Sequence, residues 1–299
     1  MVVDPISSKG AEALRVTERH PLLGAEVRGL DLSRPLDAAT VAAILEIWAR
    51  HLVLVFPEQE LSEAAQVRFS RYFGELAVHQ DPEKISARVP EIFRVANVDE
   101  DGNLLPEEHE LRRYFRVLTG LWHTDGSYKD MPSHASVLHG LEVPPEGGET
   151  WYANMFAAYE ALPEAVKKKI QGRQMVHSHD LNRIICPGLT PTTEQQKRDL
   201  PPMTHPLVRT HADGRKSLFI SENVAYYVGG MPLEEGKALH RQLMELATRP
   251  EFVYRHKWQA GDVVMWDNRA TLHRVTEYDG RKYRRVLQRT EILGQEVVV

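Results

Sequence analysis

Apolar residues in the first third of the chain follow a helical repeat in two places and an extended pattern in one. Asp37 is suited to capping a helix N-terminus. The residues that follow it form one apolar stripe at helical spacing: Val41, Ile44, Leu45 and Trp48. A continuous apolar run at 52–56 then predicts a strand. Ser62 precedes a second helical stretch, which we expect to end at Gly74, so this region should mix helices and strands.

From residue 135 onward, short apolar runs separated by polar turns dominate the sequence. The runs predicted to be strands are 135–143, 150–155, 206–211, 217–220, 252–258, 262–266 and 283–293. Many short strands with such turns indicate a sandwich or barrel. Two helices interrupt them, one from Pro163 to near Gly172 and one at 233–248. The stretch 182–205 is predicted to be a long loop, and we expect it to act as a lid over the site.

Length and composition set broad limits on the architecture. The chain has 299 residues, of which 42% are hydrophobic, and this is ample for a sizeable core. This length suits one large domain or two small ones, and we expect a single domain over residues 1–299. A lone cysteine, Cys186, cannot form an internal disulfide and is interpreted as an ordinary buried or loop thiol.

Charge and hydropathy favour a small molecule as the partner. The net charge is −5, the sequence pI is about 6.3, and lysines and arginines are scattered among acids. Nucleic acid and anionic membrane surfaces are therefore not expected as partners. No apolar run approaches the roughly 20 residues of a membrane span, and the N-terminus lacks the apolar centre of a signal peptide. We expect a cytoplasmic protein that forms a homo-oligomer, either a dimer or a tetramer.

The segment LWHTDGSY, at 121–128, holds two metal-ligand residues one position apart. If Leu121 and Trp122 finish a strand, His123 and Asp125 point to the same side of it. A third ligand is available in His273, which lies 273 − 125 = 148 residues beyond the aspartate and follows an apolar strand and a polar turn. Two histidines and one carboxylate form the facial triad of non-haem Fe(II) oxygenases, which leaves three coordination positions open.

The long gap between the ligands fits a double-stranded β-helix, the jelly-roll barrel in which distant strands lie side by side.

Other histidines are alternative candidates for metal ligands: His177 and His179 share a strand face and precede Asp180. Nothing downstream of them resembles a co-substrate site, so we interpret them as structural. The same interpretation applies, since buried histidines are usually hydrogen-bonded, to His139, His205, His211, His240 and His256.

Four ordered motifs carry a family resemblance: HTD at 123–125, GGET at 147–150, WDNRATLHR at 266–274 and YRRVLQRTEIL at 283–293. Together they resemble the Fe(II)/2-oxoglutarate dioxygenases of the taurine dioxygenase and 2,4-dichlorophenoxyacetate dioxygenase family. The segments HPLVRTH, GRKSLFI and FVYRHKWQAGDVVMWDNR resemble especially its herbicide-degrading branch. The similarity extends from about residue 20 to the C-terminus. It implies a mixed α/β, mainly β fold with a jelly-roll core and flanking helices. It also implies Fe(II), 2-oxoglutarate and O2 as cofactor and co-substrates, with hydroxylation of a small anionic organic substrate yielding succinate and CO2.

The last strand provides two arginines on one face. With a period of two, Tyr283, Arg285, Leu287 and Arg289 point the same way. A planar guanidinium is suited to binding a carboxylate through two hydrogen bonds. By the resemblance, Arg285 binds the distal carboxylate of 2-oxoglutarate and Thr150 adds a hydroxyl. Arg289 is assigned to the anionic group of the primary substrate, with a contact to 2-oxoglutarate as well.

The resemblance also assigns substrate contacts. A histidine after the FGEL segment helps to hold the substrate anion in related enzymes, and His79 occupies that place. Gly126 is expected to line the substrate site. Thr119 lies four residues before the first metal histidine, and Val224 replaces an aromatic wall of the family, so a taurine-like substrate is not favoured.

Other motif residues have structural interpretations. Gly147 and Gly148 are expected to form a turn, because no phosphate-binding signature follows them. Trp266 and Asn268 are expected to shape the turn that aims His273. An intact Asp125 favours hydroxylation over halogenation, since iron halogenases need that position free for halide.

Two other classes of protein remain open from the residues alone. A zinc hydrolase would use the same three ligands with a bound water, but it leaves Arg285, Arg289 and Thr150 without a task. A non-catalytic barrel that binds an anion would use the arginines and not the metal ligands.

Overall fold

The computed structural model describes residues 14–78, 85–86 and 88–299. Its α-helices are α1 Ala38–His51, α2 Glu63–Arg71, α3 Glu110–Leu118, α4 Met155–Glu160, α5 Glu164–Ile170, α6 Leu181–Ile185, α7 Glu194–Asp199 and α8 Leu233–Ala247. The strands are β1 Arg15–Glu18, β2 Ala25–Arg28, β3 Val53–Phe56, β4 Phe93–Ala96, β5 Ala135–Glu142, β6 Thr150–Asn154, β7 Gln174–His177, β8 Met203–Pro206, β9 Val208–Thr210, β10 Lys216–Leu218, β11 Ala225–Val228, β12 Val253–His256, β13 Val263–Asp267, β14 Thr271–Val275 and β15 Val286–Ile292.

A seven-stranded sheet forms one wall of the core, in the order β1-β2-β3-β13-β5-β15-β4. All neighbours in it are antiparallel except β2 and β3. A three-stranded antiparallel sheet, β12-β6-β14, packs against the large sheet. Its residues Tyr152 and Tyr254 form an apolar cluster with Trp266 and Leu138 of the large sheet. Side chains of the two sheets thus interdigitate, as a jelly roll requires.

Helices α1 and α2 cover the other face of the large sheet. Ile44 and Trp48 of α1 and Phe69 of α2 pack there against Phe56 and Val137. Burial on both faces explains why the β3 segment is apolar without alternation, since every one of its residues is buried. The strand predicted at 52–56 is confirmed from Val53.

Both helix starts predicted in the first third of the chain are confirmed. The Asp37 side chain accepts a hydrogen bond from the backbone N–H of Thr40, and Ser62 caps α2 in the same way. One member of the predicted apolar stripe differs, because Leu45 is 41% exposed. The buried face of α1 turns through Ile47 instead, which packs with Ile44 and Trp48.

The prediction of a long loop at 182–205 is wrong. Most of α6, all of α7 and the first residues of β8 lie within this stretch. Helix α7 begins with a capping box, in which Thr193 accepts from the backbone N–H of Gln196 and the Gln196 side chain accepts from the backbone N–H of Thr193. The capping box at Thr193 and Gln196 therefore starts a helix in a stretch whose prolines and charges are typical of a loop. Its action as a lid stays a prediction.

None of the helices in the described part of the chain is both long and apolar enough to cross a membrane.

Asn154 links three parts of the fold and gives a stability prediction. Its side-chain oxygen accepts hydrogen bonds from the backbone N–H groups of Phe156 and Ala157, which start α4, and its amide donates to the Leu22 carbonyl at 2.7 Å. Asn154→Ala should lower the free energy of unfolding by about 1–3 kcal/mol, because it removes a helix cap and leaves a carbonyl unpaired.

Urea denaturation of the purified protein measures this change. Asn154→Ser should lose less stability than Asn154→Ala, because a neutral hydroxyl keeps an acceptor for the helix cap and loses only the donor to Leu22. Equal losses in the two variants would contradict the assigned cap.

Candidate metal and 2-oxoglutarate site

The backbone brings the two ligand segments together through a pair of hydrogen bonds. The N–H of His123 donates to the carbonyl of His273 at 2.9 Å, and the N–H of His273 donates to the carbonyl of His123 at 2.7 Å. Leu121 and Trp122 do not finish a strand, which was the condition for His123 and Asp125 to share a face, because this segment forms only the isolated bridge at His123. The bridge nevertheless attaches the His-x-Asp segment to the edge of β14.

The side chains of His123, Asp125 and His273 converge as predicted. Their potential ligand atoms all lie within 4.8 Å of one another, and all three residues are buried. The Nε2 atom of His273 is 4.0 Å from Oδ2 of Asp125, and the two imidazole rings are 4.1 Å apart between centroids. Within the described residues this is the one group of three such side chains close enough to share a metal ion.

Hydrogen bonding and burial prepare the histidines as ligands. Nδ1 of His123 is 2.7 Å from the carbonyl of Leu121, and a carbonyl can only accept, so this nitrogen carries the proton and Nε2 presents a lone pair. Burial lowers the pKa of His123 and of His273. Both imidazoles are therefore neutral near pH 7, which is the form that binds metal.

Asp125 is held as a carboxylate by donors on both oxygens. Nη1 of Arg289 donates to Oδ1 at 2.7 Å, and the hydroxyl of Ser136 donates to Oδ2 at 2.7 Å. Burial acts to raise the pKa of Asp125, but Arg289, with smaller contributions from His273 and His123, holds it well below its usual range. A buried acid therefore stays ionised.

Asn268 holds the segment that carries Asp125. Its backbone carbonyl accepts from the Thr124 hydroxyl at 2.6 Å, and its side-chain oxygen accepts from the Asp125 N–H at 3.3 Å. Trp266 packs its ring 4.8 Å from that of His273. The expected turn residues thus act on both ligand segments, and not on His273 alone.

Arg285 is buried, and no carboxylate among the described residues pairs with it. The predicted strand at 283–293 begins only at Val286, so Arg285 lies immediately before β15. Its Nε donates to the carbonyl of Gly148 at 3.2 Å, while Nη2 is buried and has no hydrogen-bond acceptor among the described residues. No ion pair of Arg285 occurs within that part of the chain, and burial lowers its pKa. An anion is the natural complement of such a group.

Arg289 has a different environment. Besides Asp125, it contacts Glu291 at 3.3 Å and lies over the ring of Phe93 at 4.7 Å. Glu291 in turn accepts from Lys129 at 2.8 Å and from Ser133 at 2.5 Å. The sequence pattern did not predict this network, which leaves only the Nε of Arg289 without an acceptor among the described residues.

One cavity of about 570 Å³ collects most of the predicted site residues, namely His123, Asp125, His273, Thr150, Arg285, Arg289, Thr119, Gly126 and Val224. His79, the remaining prediction, lies outside the described residues. Part of the cavity wall was missed: Leu111, Tyr114 and Phe115 belong to α3, which the sequence pattern had not identified as a helix. The strong one-sided apolar spacing of α3 was the available signal.

The residues interpreted as structural make packing and turn contacts and do not join the group of three potential metal ligands. His177 is fully buried, has Nδ1 3.1 Å from the Ser127 hydroxyl and packs against Phe219. Gly147 and Gly148 form a turn with φ of +69° and +65°. A Cβ on Gly147 would lie 2.1 Å from the Glu277 carbonyl oxygen, so the turn requires glycine there.

Comparisons with known proteins agree with the motifs. The chain is 40% identical over 290 residues to an alpha-ketoglutarate-dependent 2,4-dichlorophenoxyacetate dioxygenase of Cupriavidus pinatubonensis, with 93% of this chain and 97% of that protein covered. It is 32% identical over 279 residues to a (S)-phenoxypropionate/alpha-ketoglutarate-dioxygenase of Sphingobium herbicidovorans, with 91% and 92% covered.

A crystal structure of AAD-2 in complex with Mn(II) and N-oxalylglycine superimposes with a TM-score of 0.85 at 34% identity, covering 96% of this chain and 98% of that one. The predicted mainly-β jelly-roll fold is confirmed. The model of the family described as "Taurine catabolism dioxygenase TauD, TfdA family" matches residues 15–290. The chain belongs to this family of 2-oxoglutarate-dependent dioxygenases.

Proposed function

We propose that this protein is an Fe(II)- and 2-oxoglutarate-dependent dioxygenase that hydroxylates a small aryloxyalkanoate or a related organic anion, with succinate and CO2 as co-products. One observation carries the proposal. A buried set of two histidines and one carboxylate faces the same cavity as Arg285, a buried arginine without a carboxylate partner in the described residues.

The donor set fits Fe(II). Two neutral imidazoles and one ionised carboxylate on one side of a metal form the facial triad of non-haem iron oxygenases, and they leave positions for a chelating co-substrate and O2. His123, Asp125 and His273 would hold the ion. Bound iron and 2-oxoglutarate together supply the activation of O2. The protein supplies ligands already in the correct protonation state.

Arg285 and Thr150 fit the distal carboxylate of 2-oxoglutarate. The indole N–H of Trp258 can only donate, and it lies 2.9 Å from the Thr150 hydroxyl oxygen. Thr150 therefore accepts from Trp258 and keeps its own proton for a further acceptor. With the unpaired Nη2 of Arg285, this hydroxyl offers two donors to a carboxylate.

The cavity near Arg289 fits a substrate with an anionic head and an apolar body. Phe93 and Tyr114 and the aliphatic Leu189 and Val224 line it. A named relative at 40% identity acts on an aryloxyacetate, which has this shape. The Thr119 hydroxyl donates to the Phe115 carbonyl, so its proton is not available to the substrate anion.

The segment 182–205 is proposed to limit the access of water to the site. Leu189 and Leu200 line the cavity, and the N–H of Thr190 donates to the carboxylate of Glu110 on α3 at 3.0 Å. This contact joins the segment to α3, and both line the cavity where no strand does. Such closure protects oxidative chemistry from side reactions.

The metal ligands can be tested without turnover. Anaerobic addition of Fe(II) and 2-oxoglutarate should give the wild-type protein a weak visible charge-transfer band. His123→Ala and Asp125→Ala should each abolish the band and the 2-oxoglutarate-dependent formation of succinate, because each removes a ligand. His177→Ala is the matched control, since it removes a buried histidine outside the triad.

Circular dichroism and the melting temperature report whether the variants fold. Retention of both the band and succinate formation in folded His123→Ala and Asp125→Ala would show that the metal binds elsewhere.

Substitution of Arg285 and substitution of Arg289 should impair turnover in different ways. Arg285→Ala should raise the 2-oxoglutarate concentration needed for half-maximal rate with every substrate, because a charged hydrogen bond of about 1.5–3 kcal/mol is lost. Arg289→Ala should chiefly reduce coupling, so that 2-oxoglutarate is still consumed while oxidation of phenoxyacetate falls. Arg289→Lys should restore little, since an ammonium lacks the planar fork.

The measurement is succinate formed against phenoxyacetate consumed across a titration of 2-oxoglutarate. Arg284→Ala is the control, because Arg284 lies beside Arg285 in the chain but pairs with Glu142 at the surface. If Arg289→Ala keeps normal coupling while Arg285→Ala loses phenoxyacetate binding, the two assignments are reversed.

A further inference from the structure

We propose that Ser136 is a positioning residue that fixes the orientation of the Asp125 carboxylate. A chain of hydrogen bonds that runs in one direction, from Trp266 through Asn268 to Ser136, makes the Ser136 hydroxyl donate its proton to Asp125. The inference rests on the proposed metal site. Ser136 is not itself a ligand, and the alternation of side chains that suggested the triad does not identify it.

The chain starts at a group that can only donate. The indole N–H of Trp266 lies 2.9 Å from Oδ1 of Asn268, and an indole nitrogen has no lone pair to accept with. The backbone N–H of Asp125 points to the same oxygen at 3.3 Å. Two obligate donors on one side of the amide fix which end is oxygen. The Nδ2 end of Asn268 must therefore face the other way.

Ser136 receives that nitrogen. Nδ2 of Asn268 donates to the Ser136 hydroxyl oxygen at 3.1 Å. A serine hydroxyl has a single proton, and the acceptor in reach is Oδ2 of Asp125 at 2.7 Å. The direction of every hydrogen bond from Trp266 to Asp125 is thus set by the first donor.

Water cannot substitute within this chain. Ser136 is fully buried, and Trp266 and Asn268 are 1% and 2% exposed. Ser136 lies on β5 opposite Trp266 of β13 and opposite Glu291 of β15, so strands on both sides hold its backbone. The donor to Asp125 is consequently placed by the centre of the large sheet and not by a loop.

The two donors to Asp125, Arg289 and Ser136, have different roles in the proposed site. Arg289 holds Oδ1 and is also the proposed partner of the substrate anion, so its position responds to substrate. Ser136 holds Oδ2 and contacts no proposed substrate group. Loss of Ser136 would leave Arg289 as the remaining side-chain donor to this carboxylate among the described residues, so rotation about the Cβ–Cγ bond would be restrained at one oxygen only. Outer donors of this kind orient metal ligands.

Anaerobic titration with Co(II), followed by its visible absorption, tests the inference without turnover. Ser136→Ala should weaken Co(II) binding by about 10–100-fold, the usual effect of removing an outer partner of a ligand. It should also shift the Co(II) absorption bands, because the carboxylate changes its orientation. Ser136→Thr retains the hydroxyl and should bind Co(II) more tightly than Ser136→Ala.

Ser70→Ala is the matched control. Ser70 is also fully buried and hydrogen-bonded, with its hydroxyl 2.6 Å from that of Thr290 and donating to the Gln66 carbonyl at 2.9 Å. It should lose stability but bind Co(II) with wild-type affinity and an unchanged spectrum.

The outcomes separate this inference from the proposed function. If the wild-type protein binds Co(II) with a spectrum that His123→Ala does not change, the metal site itself is wrong. If the wild-type protein uses the triad but Ser136→Ala matches Ser70→Ala in affinity and spectrum, only the role of Ser136 is overturned. The same holds if Ser136→Thr binds no more tightly than Ser136→Ala.

Discussion

The paired backbone hydrogen bonds between His123 and His273 are the constraint on which the site depends. They join residues 273 − 123 = 150 positions apart, which chain connectivity alone could not hold together. Once the bridge forms, Asp125 follows two residues later and reaches the same point in space. The jelly roll supplies the bridge, because β14 lies in the small sheet that packs on the large one.

Charge compensation explains why the two arginines differ. Asp125 and Glu291 both contact Arg289, so its charge is balanced inside the protein. Arg285 has no such partner in the described residues, and its burial is costly until an anion arrives. A co-substrate that must bind in every turnover suits the unbalanced arginine. The balanced arginine suits a substrate that joins an existing network.

Sequence periodicity predicted β3, the seven strand runs from residue 135 onward and both helix caps of the first third, because these features depend on local spacing, but it missed β7, β11 and β14. The approach of His273 to His123 and Asp125 is a long-range contact, and the action of the three as metal ligands stays a prediction. Periodicity also failed for α3 and for the short helices α6 and α7. Helix α6 has no side-chain cap and buries Leu181 and Asn182, whereas α7 has a capping box and buries none of its residues. The chain from Trp266 to Ser136 could not be predicted. It depends on the register between β5 and β13, which places residues 130 positions apart in sequence opposite each other.

Oxygen-isotope labelling tests the central claim most directly. The protein, loaded with Fe(II) and 2-oxoglutarate, is incubated with phenoxyacetate under ¹⁸O₂, and the succinate is analysed by mass spectrometry. A 2-oxoglutarate-dependent dioxygenase puts one oxygen atom from O2 into succinate, so a gain of one ¹⁸O is predicted. Absence of succinate, or succinate that carries no ¹⁸O while phenoxyacetate is consumed, would contradict the account and favour a hydrolytic reaction.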